Sequence, residues 1–270
     1  MVTADGITFD LDLNEAIDSE IYTGGIFEPE ITMAIGVLTK PGDVVLDIGA
    51  NIGCHTLRFA KLVGPEGRVF AFEPSGYACG KIKRNLALNA TFAGNVTLEK
   101  KAIALHTAKD QKIRFKSSWR LYGRQREIPE ETVDFESVDN YVTRRQLNRV
   151  DILKIDVDGH EPGVIASAAD TIRTFHPIIF LEINDTAECR QMIQALGNLE
   201  YIFLFEENFE PARSSAEIMA LVMQRPINST GYRAANFILL PAASATACAA
   251  DLQKAMYGEA AAAWPREVPA

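Results

Sequence analysis

Short apolar runs alternate with segments of helical periodicity through most of this chain. The run at residues 44–48 stops abruptly in a turn of glycine and asparagine, and apolar positions at helical spacing follow it. Similar runs lie at residues 68–72, 95–104, 150–155, 177–184, 201–205 and 236–241. Strands and helices in this alternation predict an α/β fold with a doubly wound, mostly parallel sheet.

The two ends of the chain and one internal segment depart from this repeat. Residues 7–13 alternate apolar and acidic side chains, which predicts a half-exposed strand, and Glu28-Pro29-Glu30 opens a helix that runs to about Leu38. Basic and aromatic residues, then acidic ones, fill residues 106–142 around a predicted hairpin. We expect three parts: an N-terminal addition that caps a pocket (1–40), a main domain (41–242) and an alanine-rich tail (243–270) that forms a marginal helix or frays.

Composition narrows the class of protein. A hydrophobic content of 47% suffices for a large packed core, and a net charge of −9 opposes generic binding to nucleic acid. The four cysteines are widely spaced, which favours reduced thiols over a disulfide framework or zinc site. Because the start has no basic or apolar leader and no apolar run is long enough for a membrane span, we expect a cytoplasmic protein without membrane insertion. The oligomeric state is not determined by the sequence.

The turn after the first strand predicts a ligand site. Glycines at 49 and 53 allow the backbone to approach a ligand where a Cβ would collide, at the edge of the sheet where small ligands bind in such folds. Asp47 places a carboxylate beside this approach. A carboxylate repels a diphosphate but suits a ligand ammonium group, so the loop favours S-adenosylmethionine over a dinucleotide.

An acid at the end of the next strand supports this interpretation. Glu73 follows Gly49 by 24 residues. In nucleotide-binding folds, an acid about 20 residues after the glycine loop accepts hydrogen bonds from the ribose hydroxyls. A solvated strand end is the alternative, and the ordered pair of loop and acid favours the ribose role.

Two further strands predict acidic groups at the same edge. Asp156, Asp158, His160 and Glu161 follow the strand at 150–155, and three acids with a histidine within six residues indicate an active site. Glu182 ends the neighbouring strand.

A divalent metal is a further possibility at this edge. Asp156, Glu182 and Asn184 supply the hard oxygen ligands that Mg²⁺ prefers. It is not favoured, because carboxylates at strand ends are common, and we predict no metal ligand.

Two segments are candidates for the cover of the pocket. Tyr22, Phe27 and Glu28 lie at or before the start of the helix that runs to about Leu38, where they either cover the pocket or simply begin that helix. Trp119 lies within a run of basic and aromatic residues that forms either a cationic lip for an anionic or sugar-bearing substrate or a solvated surface. The basic residues of this run are Lys109, Lys112, Arg114, Lys116, Arg120, Arg124 and Arg126.

Three motifs in order give a family resemblance. With Asp47-Ile-Gly-Ala-Asn-Ile-Gly53, Phe72-Glu73-Pro74 and Lys154-Ile-Asp-Val-Asp-Gly-His-Glu161, the chain resembles the FkbM family of S-adenosylmethionine-dependent methyltransferases over about residues 21–241. The resemblance implies a Rossmann-like class I methyltransferase fold, with a seven-stranded sheet whose last strand is antiparallel.

The resemblance also implies an activity and site residues. The implied reaction is O-methylation of a hydroxyl group on a sugar, glycan or natural product. Gly49, Asn51 and Gly53 would surround the methionine end of S-adenosylmethionine, and Glu73, with Pro74 beside it, would bind the ribose. Family members commonly have Glu where this chain has Asp158.

Methyl transfer from a sulfonium is an in-line displacement, and a sugar hydroxyl needs a base as the new bond forms. Asp156 and His160 are the candidate bases, and Asp156 could equally orient the cofactor's ammonium group. Glu182 would orient the acceptor, and Asp158 and Glu161 would contact it.

The competing hypotheses are a nicotinamide-dependent oxidoreductase and a non-catalytic binding module. Asp47 argues against the oxidoreductase because it replaces the first glycine of the dinucleotide motif.

Overall fold

The computed structural model describes residues 1–114, 130–184, 186–212, 214–226 and 233–258. The strands are β1 (Val2–Ala4), β2 (Ile7–Phe9), β3 (Val44–Ile48), β4 (Arg68–Phe72), β5 (Val96–Glu99), β6 (Lys101–Ile103), β7 (Ala108–Ile113), β8 (Glu131–Glu136), β9 (Ile152–Ile155), β10 (Ile178–Asn184), β11 (Tyr201–Phe205), β12 (Pro211–Ala212) and β13 (Ala234–Pro241). The helices are α1 (Ala16–Gly24), α2 (Pro29–Leu38), α3 (Cys54–Val63), α4 (Gly76–Leu88), α5 (Val138–Arg144), α6 (Glu161–Ser167), α7 (Ala169–Phe175), α8 (Ala187–Gly197), α9 (Ser215–Met223) and α10 (Ala242–Tyr257).

The main sheet confirms the predicted fold class. Its strand order is β12-β11-β13-β10-β9-β3-β4-β5, and β5, β4, β3, β9 and β10 are mutually parallel. The last strand, β13, runs antiparallel between β10 and β11, as predicted. The predicted count of seven strands is wrong, because Pro211–Ala212 adds an eighth strand at the edge beside β11. Two residues are too few to give a hydrophobic period.

Both faces of the sheet are covered by helices. Along β3, Leu46 and Ile48 pack into one apolar cluster with residues of α5 and α6, whereas Val45 packs into a second cluster with α2 and α3. Alternate side chains of a strand point to opposite faces, so a strand between two helical layers is buried at every position. All five residues of β3 are buried, which explains why four of them are apolar and only Asp47 is charged.

The insert forms a small separate sheet. The strand predicted over 95–104 is divided, because β5 joins the main sheet and β6 joins β8, which in turn pairs antiparallel with β7. The predicted hairpin is therefore present as β7 and β8. The part of the predicted lip at residues 115–129, which includes Trp119, lies outside the described residues.

The N-terminal segment is attached along α4. Backbone groups of Thr8 exchange two hydrogen bonds with the Asn89 side chain, at 2.9 and 2.7 Å. Asn85 accepts from the amide of Asp10 at 2.8 Å, and Lys81 forms a buried ion pair with Asp18 at 2.5 Å. These contacts lead the chain to the start of α2, beside the carboxyl edge of the sheet.

The alanine-rich end begins with a packed helix. Ala245, Ala249 and Leu252 of α10 are buried in the cluster that contains α2. The division into three parts at residues 40 and 242 stays a prediction. Within the described ranges, no helix combines the length and the apolarity needed to cross a membrane.

Candidate functional site

The loop after β3 is a left-handed turn packed against protein atoms. Gly49, Asn51 and Gly53 have φ angles of +86°, +48° and +87°. A Cβ on Gly49 would lie 1.8 Å from the carbonyl oxygen of Asp156, and one on Gly53 would lie 2.6 Å from Ile82. From the sequence, both glycines are expected to allow the approach of a ligand. In the structure their lack of a Cβ lets the acidic loop and α4 pack against this turn.

Asp47 connects the strand before this loop to the helix after it. Its side chain is fully buried, and Thr56 donates a hydrogen bond of 2.5 Å to Oδ2. Its Oδ1 lies 3.8 Å from Nζ of Lys154 and has no hydrogen-bond partner among the described residues. The predicted contact between this carboxylate and a ligand ammonium stays a prediction.

Glu73 connects the glycine loop to the start of α4. One carboxylate oxygen accepts from the amide of Asn51 at 3.0 Å, and the other accepts from the amide of Ser75 at 2.8 Å. Burial raises the pKa of Glu73 to about 7, against the opposing effect of these two amides. Each oxygen keeps a further acceptor site, so hydroxyl donors can be added. Half-buried Pro74 completes the turn.

The acidic loop after β9 presents some predicted residues and buries another. Asp158 and His160 are exposed, and the side chain of Asp156 is 34% exposed. Glu161 is fully buried, and its Oε1 accepts from the amides of Val157 and Gly159 at 3.0 and 3.1 Å. Burial raises the pKa of Glu161 to about 7. Its Oε2 accepts from the Asn184 side chain at 3.4 Å, so Glu161 supports the loop from the interior, and its contact with an acceptor stays a prediction.

Lys154 lies between the two loops and was missing from the predicted site. Its Nζ donates to the carbonyl oxygen of Gly49 at 3.2 Å and to the carboxylate of Asp156 at 3.1 Å. Burial disfavours its charge, but Asp156, Asp47 and Glu28 outweigh burial and raise its pKa. A lysine in an otherwise apolar strand was the signal that could have identified it.

Glu182 offers an unused carboxyl oxygen. It lies on β10 opposite Asn236 of β13, and its buried Oε2 has no hydrogen-bond partner among the described residues. Burial, and then the nearby acids beginning with Asp156 and Glu161, raise its pKa to about 9. Glu182 is therefore protonated at neutral pH and can donate a hydrogen bond.

Glu28 is held at the site by two residues that the sequence did not suggest. Its carboxylate pairs with Nε2 of His55 at 2.9 Å and accepts from the Asn236 side chain at 3.0 Å. Burial opposes a charged His55, but Cys54 and Glu28 raise the pKa of His55 to about 10. The ring of Phe27 lies 5.8 Å from that of His55. Tyr22 is 56% exposed on α1, so the structure places Glu28 but not Tyr22 within this cluster.

Of the three residues considered as metal ligands, Asp156, Glu182 and Asn184, the last already makes hydrogen bonds within the protein. The side-chain oxygen of Asn184 accepts from the amide of Thr186 at 3.2 Å and from Sγ of Cys189 at 3.1 Å. In the part of the chain that the structure describes, no three His, Cys, Asp or Glu side chains are grouped to hold a metal ion.

Comparison with known proteins gives the family. The Methyltransferase FkbM domain matches residues 47–204, more than half of the chain and the span that contains all three motif loops. The chain belongs to the FkbM methyltransferase family. The resemblance seen in the sequence is thereby confirmed, and the family is one of methyltransferases.

Two named relatives and one crystal structure are similar to this methyltransferase. The 2-O-methyltransferase NoeI of Sinorhizobium fredii is 26% identical over 219 residues, which cover 70% of this chain and 87% of NoeI. The 31-O-demethyl-FK506 methyltransferase FkbM of Streptomyces tacrolimicus is 42% identical over 71 residues, 26% of each chain. The methyltransferase FkbM of Methylobacillus flagellatus KT has a TM-score of 0.49 and 14% identity over 80% of this chain, which spans 49% of that longer chain.

Proposed function

We propose that this protein is an S-adenosylmethionine-dependent O-methyltransferase that acts on a hydroxyl group of a sugar, glycan or natural product. The observation that carries the proposal is the meeting of three loops at one edge of the sheet. Glu73 binds the amide of Asn51, and Lys154 joins Gly49 to Asp156. The names of NoeI and the Streptomyces relative, which both specify an oxygen position, support transfer to oxygen.

The residues present fit this cofactor. Glu73 would accept hydrogen bonds from the ribose hydroxyls, and the partly exposed carboxylate of Asp156 suits the ammonium of the methionine end. When bound, S-adenosylmethionine supplies a methyl group already activated by its sulfonium centre. The protein therefore needs only to position the acceptor hydroxyl and to accept its proton.

Side chains at the same edge would handle the acceptor. Asp156 or His160 is proposed to take the hydroxyl proton, since Asp156 is partly exposed and His160 is exposed on the same loop. Glu182, protonated at neutral pH, would donate a hydrogen bond to a neighbouring acceptor oxygen. Glu28, ionised beside His55, would accept one from an acceptor hydroxyl.

Methyl transfer to a panel of acceptors tests the proposal. Purified protein is incubated with methyl-labelled S-adenosylmethionine and sugars, nucleotide-sugars or lipid-linked glycans, and labelled products are treated with mild alkali. An ether methyl group survives alkali, whereas a methyl ester is hydrolysed. We expect alkali-stable label on at least one acceptor, lost in Glu73→Ala and retained in the exposed control Glu66→Gln.

Calorimetry with S-adenosylmethionine and NAD tests cofactor choice separately. We expect binding of S-adenosylmethionine alone. Binding of neither ligand, or label that alkali removes, would refute the proposed function. A protein that binds S-adenosylmethionine but never transfers a methyl group would instead be a silent binding module.

A further inference from the structure

A buried lysine lies at the junction of the glycine loop and the acidic loop. Lys154 is on β9 directly opposite Asp47 of β3, in the centre of the sheet, and its side chain is 6% exposed. Removing an ammonium group from water costs several kcal/mol, so such a residue persists only with close partners. The hydrogen-bond partners of Lys154, Gly49 and Asp156, belong to the proposed cofactor site.

The contacts of Lys154 connect two segments that are far apart in sequence. Its ammonium group donates to the carbonyl oxygen of Gly49, at 3.2 Å, and to Oδ2 of Asp156, at 3.1 Å. The loops also pack directly, since a Cβ on Gly49 would lie 1.8 Å from the carbonyl of Asp156. Each loop is therefore fixed relative to the other through the same side chain.

The sign of the charge shows what Lys154 can contribute. S-adenosylmethionine carries a sulfonium, an ammonium and a carboxylate, so its net charge is positive and a resident cation repels it overall. The carboxylates of Asp47 and Asp156, whose oxygens lie 3.8 and 3.1 Å from Nζ of Lys154, offset that repulsion. Both carboxylates would attract the donor without a lysine between them. The contacts that the structure shows are geometric, because the ammonium fixes the direction of one carbonyl and one carboxylate.

We propose that Lys154 is a positioning residue for the methyl donor. It holds the Gly49 carbonyl and the Asp156 carboxylate in the orientation that receives the methionine end of S-adenosylmethionine. This inference rests on the proposed function. A positioning role predicts weaker binding when the ammonium is removed, whereas repulsion of the net positive donor predicts tighter binding.

A double-mutant cycle separates the two roles. Calorimetry measures the Kd of S-adenosylmethionine and of S-adenosylhomocysteine, whose sulfur is neutral, for wild type, Lys154→Met, Asp47→Asn and the double variant. We expect Lys154→Met to weaken both ligands by about tenfold or more, since a hydrogen bond to a charged group is lost at each loop. We expect the same loss when the substitution is made in the Asp47→Asn background. Thermal unfolding confirms that each variant is folded.

Other outcomes overturn the inference. If Lys154→Met binds S-adenosylmethionine as tightly as wild type or more tightly, Lys154 does not position the donor. If the substitution costs nothing in the Asp47→Asn background, Lys154 is only a counter-charge for Asp47. The double variant gives this answer even if Lys154→Met alone does not fold, because it restores the charge balance. Failure of wild type to bind either ligand would instead refute the proposed function, and this inference with it.

Discussion

At the scale of single residues, steric contact separates two glycines that have the same backbone conformation. Gly42 and Gly49 have φ angles of +87° and +86°, but a Cβ on Gly42 meets nothing within 4 Å, whereas one on Gly49 meets the carbonyl of Asp156. We expect Gly42→Ala to lower the free energy of unfolding by about 1 kcal/mol, the cost of a left-handed alanine. Gly49→Ala must also separate two packed loops.

Urea unfolding and calorimetry with S-adenosylmethionine measure both variants. Gly49→Ala should lose at least about 2 kcal/mol more than Gly42→Ala and should lose cofactor binding, because overpacking of this kind typically costs 1–3 kcal/mol. Equal losses of stability with retained binding would show that the close packing at Gly49 is not needed for the site.

Residue scale also decides which group is the base. Asp156→Asn removes a carboxylate from the partly exposed position, and His160→Ala removes the exposed imidazole on the same loop. If either group takes the proton, its loss should lower the single-turnover rate by about 100-fold or more at saturating acceptor. Near-normal rates in both variants would place the base elsewhere. The assignment of the base to Asp156 or His160 is a prediction.

At the scale of elements, α4 is the support of the N-terminal segment. Lys81 and Asp18 form an ion pair in which both side chains are buried, whereas Arg84 and Asp10, one turn further along α4, form an exposed pair. Removing one partner of a buried pair typically costs 3–5 kcal/mol, because the other charge is left uncompensated. An exposed pair contributes below about 1 kcal/mol.

Two methionine substitutions on α4 test this difference. Lys81→Met should lower the free energy of unfolding by about 3 kcal/mol or more, and Arg84→Met by less than about 1 kcal/mol. Adding Asp18→Asn to Lys81→Met should recover part of the loss, since the unpaired charge is then gone. Similar losses for both single variants in urea unfolding would mean that the buried pair does not hold the segment.

Element boundaries show where sequence patterns were sufficient. The helix predicted from Glu28-Pro29-Glu30 to Leu38 is α2, because a proline and acids in a first turn are local signals. The division of residues 95–104 into β5 and β6 was not predicted, since the two halves join different sheets. The local hydrophobic period does not indicate which distant strand a segment pairs with.

At the scale of the whole molecule, the site makes stability depend on pH. Glu73, Glu161 and Glu182 all have pKa values raised above their ordinary 4.5, to about 7, 7 and 9. Between the ordinary pKa and the raised pKa of each group, the unfolded chain binds fewer protons than the folded chain. The free energy of unfolding therefore falls as the pH rises through that range. His55, raised from 6.5 to about 10, acts in the same direction.

Glu182→Gln isolates one part of this dependence. A glutamine does not titrate, so the fall in the free energy of unfolding between pH 5 and pH 9 should be smaller than in wild type by about 1 kcal/mol or more. Urea unfolding at several pH values measures it, with Glu66→Gln on the surface as the control. A variant with the same pH dependence as wild type would show that Glu182 does not hold its proton in the folded protein.

Local order in the sequence determined the class of fold and the loops of the site. Apolar runs at strand length, helical spacing between them and acids at strand ends specified a mostly parallel sheet with Glu73 and Asp156 at one edge, and the structure has this arrangement. These features depend on neighbours in the chain and on the rule that parallel strands end at the same edge. The family was identifiable for the same reason, because its motifs are short and contiguous.

Only the tertiary structure decided which side chains share the site and in what state. His55 and Asn236 reach Glu28 from different elements, and Lys154 joins Asp156 to Gly49, which lies 105 positions before the lysine. Glu161 accepts hydrogen bonds from two backbone amides, and burial together with the nearby acids raises the pKa of Glu182 to about 9. Long-range contacts and desolvation set these outcomes, and neither is a property of a residue's neighbours along the chain.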